Sequence, residues 1–295
     1  MAKDYSIMRR IWRIVYPILI FLSAQFIAAA GMGVYYSVKL LRNGASDVMM
    51  TDFIYLIMAE TERFLIEHSM LYLLICNLFC MLIFVPMWLR ISNNHDEPTR
   101  NDRPIVVYML IAGFFAAFNI VQMVVFALTD VIRHFPAYEE AALTYMTDSL
   151  LIQVIGIGIA APIVEELVFR GIVMSSMRWM PEKVAVIVQA LLFGLIHMNL
   201  FQGLYAFIAG VLLGLVYIKF KSLTAVIIGH ASYNLSSVLL AEFVNEDYFG
   251  FVVVAGIVML PLLAGRIIRH PKARRVLLER DMFQLPALPE SWTNQ

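Results

Sequence analysis

The sequence is short of charge. Only 15% of its 295 residues are Asp, Glu, Lys or Arg, while 61% are hydrophobic; a soluble domain carries about a quarter charged residues. The deficit is concentrated in long uncharged blocks. Residues 14–38 are 25 positions without a charge and residues 69–89 are 21, against about 20 needed to cross a bilayer. One soluble core could not hide several such blocks. Net charge is zero, so there is no overall attraction to nucleic acid. Cysteine is scarce. Cys76 and Cys80 stand one helical turn apart in an apolar block, a pattern that suits packing rather than a disulfide or a metal cluster. No internal repeat is present. The first apolar block is too long for the core of a signal peptide and no small-residue cleavage site follows it, so it reads as an anchor. Three protease signatures are also missing: His-Glu-x-x-His of zinc enzymes, Gly-x-Ser-Gly of rhomboid-type serine enzymes and Gly-x-Gly-Asp of the aspartyl type.

The pattern that remains predicts an all-α polytopic membrane protein with about eight spans, near 14–38, 69–89, 105–128, 149–168, 184–200, 202–218, 223–243 and 248–265. The fourth can run on to Met177, since Arg170 is its only charge after Glu166. Lys and Arg set the orientation. With both termini in the cytoplasm, 18 of them face inward and four, Lys39, Arg42, Arg63 and Arg133, face outward. The chain divides into three N-terminal spans with an outer amphipathic segment (1–148), a helical core (149–265) and a basic tail (266–295) that suits anionic headgroups. Residues 39–68 read as an amphipathic helix packed as a lid on the outer face, 129–148 as an acidic solvated loop, and 90–104 as a polar, flexible inner loop. Gly210 and Gly214 form a small-xxx-small motif that lets two helices approach closely.

Charges inside a span need partners or a water-filled cavity, because each costs roughly 2.5–3.5 kcal/mol at mid-bilayer. The fourth span holds Glu165, Glu166 and Arg170, the fifth His197, and the seventh His230 and Asn234. Glu166 and Arg170 are four apart with the acid first, the better order for an ion pair. Glu165 is turned by about 100° from Glu166, which leaves it as the unpaired acid. His230 and Asn234 share a face, and His197 approaches from another helix. One carboxylate, two imidazoles and a carboxamide can therefore converge. A carboxylate and a histidine can take a proton from water, while histidine and asparagine can donate to an oxyanion. Glu165, His197 and His230 could equally hold a zinc ion in an open three-ligand site. Two non-hydrolytic readings use the same residues: an immunity or scaffold protein without turnover, and a proton-coupled transporter relaying protons along Glu and His. The absence of a repeated half weighs against the transporter.

Three segments carry a family resemblance: Glu165-Glu166-Leu-Val-Phe-Arg170, Phe193-Gly-Leu-Ile-His197 and His230-Ala-Ser-Tyr-Asn234. In this order on successive spans they resemble the CPBP family, the type II CAAX prenyl endopeptidases and bacteriocin-processing or immunity-associated (Abi) membrane proteins. The likeness covers about 150–242. It implies an intramembrane endopeptidase acting on a membrane-associated or lipidated peptide, with the bilayer as its medium. Glu165 and His197 would activate water, His230 and Asn234 would hold the oxyanion, and Glu166 with Arg170 would support them. The family is described both as metal-dependent and as glutamate-type, so the likeness leaves no cofactor and a single zinc ion both open. Small size and short loops point to a prokaryotic plasma membrane.

Overall fold

The computed structural model describes residues 2–43, 49–93, 105–136, 138–139, 148–244 and 246–269. Among them every regular element is a helix and there is no strand. The long apolar blocks force this outcome, because a segment in lipid must satisfy its backbone internally. In chain order the helices are α1 (Ala2–Arg42), α2 (Met50–Glu67), α3 (Ser69–Asn93), α4 (Ile105–Thr129), α5 (Leu150–Ser176), α6 (Glu182–Leu195), α7 (Leu200–Phe220), α8 (Leu223–Phe243) and α9 (Glu246–Arg269). Six of these, α1, α3, α4, α5, α7 and α8, are long and apolar enough to cross a membrane. The chain is thus an all-α integral membrane protein.

The fifth and eighth expected spans take different forms. The segment near 184–200 becomes α6, only 14 residues or about 21 Å, against a hydrocarbon core of about 30 Å. It stops because the chain bends back. His197 N donates to Gly194 O, Met198 adopts a left-handed φ of 53°, and the Asn199 side chain accepts from Gln202 N (3.1 Å) to cap α7. The segment near 248–265 lies in α9, where the apolar stretch is Gly250–Arg266.

α5 is continuous as far as Ser176, but it is not a regular α-helix. Two π-helical stretches, Val154–Ala160 and Leu167–Val173, flank the turn Ala161–Glu166. Such wide turns are rare and frequent at functional sites. The second stretch is wholly buried, and Val168, Phe169, Ile172 and Val173 form the centre of the core with Phe115, Phe193, Leu213 and Val226.

The segments expected on the outer face are less loop-like than their composition suggests. α2 has no buried residue, but its Phe64 ring meets Tyr36 of α1 (6.4 Å between centroids). Asp148 is expected in a solvated loop, but its side chain is only 4% exposed. Its Oδ2 accepts from Met70 N at 2.7 Å, capping the N-terminus of α3, where backbone N–H groups lack helical partners. Phe135 and Tyr138 pack on Phe201 of α7, with centroids 4.8 and 4.9 Å away. Glu140, most of the 90–104 loop and the tail beyond 269 lie outside the described residues.

Candidate active site

Glu166 is the hub of the buried charges. Its Oε1 accepts from Arg170 Nη1 at 2.8 Å, within α5, and from His230 Nδ1 at 2.8 Å, across from α8. Glu166 and Arg170 are fully buried. The Glu166–Arg170 pair that the spacing predicts therefore forms, and His230 joins it. Since a carboxylate only accepts, His230 carries its proton on Nδ1. Its Nε2 then faces Glu165 Oε2 at 3.7 Å.

Arg170 is held by more than its acid. Its Nη2 donates to Gly210 O of α7 (3.1 Å), and Gln189 Nε2 of α6 donates to the same oxygen (2.8 Å). The guanidinium also stands over the Phe193 ring, 4.8 Å from its centroid. The small-xxx-small motif makes this arrangement reachable. A Cβ on Gly210 would lie 3.2 Å from Ala190, and one on Gly214 would lie 2.7 Å from Gln189 Nε2. The two glycines admit α6, and that approach exposes the Gly210 carbonyl to both donors. Gln189 and Gly210 were not among the expected site residues. The signal was a glutamine in an apolar helix, which needs a buried acceptor.

Phe193 joins the two histidines. Its ring lies edge-on to His197 (5.1 Å) and to His230 (5.7 Å). His197 Nδ1 donates to Phe193 O at 2.8 Å, so its Nε2 is left with a lone pair. Asn234 Nδ2 donates to Ile157 O (2.9 Å), in the first π-helical stretch of α5, and keeps one amide hydrogen. Glu165, Glu166, Arg170 and His230 are thus in direct contact, His197 is tied in through Phe193, and Asn234 is tied to α5 one turn further along. Glu165 is the acid outside the buried pair, with its side chain 15% exposed. Among the described residues no group of three or more His, Cys, Asp and Glu side chains is placed to hold a metal ion.

Residues 147–236 match the family model described as type II CAAX prenyl endopeptidase, Rce1-like. The matched stretch contains all three motif segments and the six residues above. No curated protein matches the chain, and no solved structure does. Residues 147–236, the helical core of this membrane protein, are thus similar to the CAAX-protease (CPBP) family.

Proposed function

We propose that the chain is an intramembrane endopeptidase that hydrolyses a peptide bond of a membrane-associated or lipidated protein by Glu165- and His197-activated water. One observation carries the assignment of roles: Glu166 is shared by Arg170 and His230, which leaves Glu165 outside the buried pair and facing His230. Glu165 takes a proton from water as the water oxygen attacks the scissile carbonyl carbon. His197 Nε2 accepts from the same water and orients it. The remaining amide hydrogen of Asn234 donates to the oxyanion that forms, and so does His230 in the form that carries a proton on Nε2 as well as on Nδ1. In that form the positive charges of His230 and Arg170 face the two carboxylates of Glu166 and Glu165. Glu165 then returns its proton to the leaving amine as the C–N bond breaks, giving a free carboxylate and an amine. The proposed route needs only these side chains and water.

The test is a comparison of protein termini in cells carrying the native chain and Glu165→Gln. Termini that disappear in the variant are the expected result, with the purified native chain still cleaving the matching peptide after dialysis against a chelator. Identical termini would sink the protease reading. Activity lost to the chelator and restored by zinc would return Glu165, His197 and His230 to the role of metal ligands. The substrate is expected to reach the site from a prokaryotic plasma membrane, with both termini of the chain on the cytoplasmic side.

A further inference from the structure

α8 carries two of the reacting groups, yet it is the least apolar of the six candidate spans. In lipid, apolar packing does little to choose one rotation of a helix over another, since lipid tails are as apolar as leucine. Something else must aim His230 and Asn234 at α5. On a helix of 3.6 residues per turn, Tyr233, Ser237, His230 and Asn234 share an arc of about 100°. Two of these residues serve the site. The other two, with Ser236 beside them, bind α4 instead.

The contact with α4 is made of polar groups. Asn119 is fully buried and uses both ends of its carboxamide. Its Nδ2 donates to Ser237 Oγ at 2.8 Å, and its Oδ1 lies 3.1 Å from Ser236 Oγ, whose one hydrogen is shared with Tyr233 O at 2.7 Å. One turn nearer the site, Tyr233 Oη donates to Gln122 Oε1 at 2.8 Å. Below these bonds the two helices touch directly: a Cβ on Gly229 would lie 2.7 Å from the Phe115 ring. Two neighbouring serines point about 100° apart, so a single carboxamide that satisfies both fixes the rotation of α8.

The lever is long enough to matter. Side-chain tips lie about 5–6 Å from a helix axis, so a turn of only about 20° moves the His230 ring by about 2 Å. That would break its 2.8 Å bond to Glu166, and misplacement by about 1 Å can cost 100-fold in rate. We propose that Asn119, through Ser236 and Ser237, is a positioning residue for the reaction, with the Tyr233–Gln122 bond as its second point of attachment. It sets the rotation of α8 that presents His230 to Glu166 and Glu165. This inference rests on the protease reading for its kinetic consequence, but its geometric content does not.

The test uses the full-length chain in detergent or nanodiscs, with Asn119→Leu and the milder Tyr233→Phe, which removes one hydroxyl and keeps the ring. Imidazole 15N spectra read the geometry without any turnover, the His230 signal being assigned by its loss in His230→Gln. In the native chain it should report a proton held on Nδ1. In Asn119→Leu it should shift toward a mixture of tautomers, and in Tyr233→Phe it should move part of the way. Cleavage by Asn119→Leu should fall 10- to 100-fold in kcat with KM within twofold, and a Ser236→Ala/Ser237→Ala chain should show the same loss. Adding Asn119→Leu to that double variant should cost nothing further, because the residues act as one unit. If Asn119→Leu does not fold, Tyr233→Phe and the serine double variant carry the test. An unchanged His230 spectrum in the folded variants would overturn the positioning role, even with Glu165→Gln inactive. A shifted spectrum in a chain that cleaves nothing would keep this role and sink the protease reading instead.

Discussion

Glu165 and Glu166 are adjacent in sequence and differ in everything that follows from burial. Glu166 is fully buried and serves two cations or donors at once; Glu165 is partly exposed and faces one imidazole at 3.7 Å. Their glutamine variants should therefore fail differently. Glu165→Gln should keep the fold and lose turnover. Glu166→Gln leaves the Arg170 guanidinium buried without its anion, and breaking a buried pair from one side costs about 3–5 kcal/mol. Thermal unfolding in detergent should show a large drop for Glu166→Gln and little change for Glu165→Gln; equal melting would contradict the division of roles. Helical spacing alone separated these two acids, because four residues put Glu166 over Arg170 and one residue turns Glu165 away. The third partner of the pair was not legible there, since His230 lies 64 positions on and no local period links it to Glu166.

Among the elements, α6 decides the most. An apolar run promised a full span, but the helix ends after Leu195, with His197 in the turn that leads into α7. Gly194 is what permits the turn to close. A Cβ there would stand 2.6 Å from the carbonyl oxygen of Gly203 on α7, and a backbone oxygen cannot swing aside as a side chain can. Gly194→Ala should separate α6 from α7, lower stability by about 1–3 kcal/mol and reduce cleavage by displacing His197. Gly31→Ala on α1, where nothing lies within 4 Å of the added carbon, is the control and should leave cleavage unchanged without lowering stability. Differential scanning fluorimetry with a peptide assay distinguishes the two. Asp148 makes the same point for the outer segments. Composition grouped it with the solvated acids, whereas the start of α3 offers it a backbone N–H 2.7 Å away.

For the whole molecule, the asymmetry of Lys and Arg predicts which side faces the cytoplasm. On a chain with Cys76 and Cys80 replaced by alanine, a cysteine introduced as Arg133→Cys should react with an impermeant maleimide on intact cells. One introduced as Arg178→Cys should react only after permeabilisation. The reverse pattern would invert the orientation proposed here. The sequence by itself determined that the chain enters the membrane and that it is helical there. Hydrocarbon tolerates neither unpaired backbone nor idle charge, so those conclusions need only local composition and the helical period. The tertiary structure alone decided where each helix ends and how it is rotated, and therefore which groups meet: His230 with Glu166, Gln189 and Arg170 on the Gly210 carbonyl, Asn119 on the paired serines. Such meetings depend on interhelical distances of a few ångströms, set by close approach at glycine and by polar groups seeking one another across the bundle.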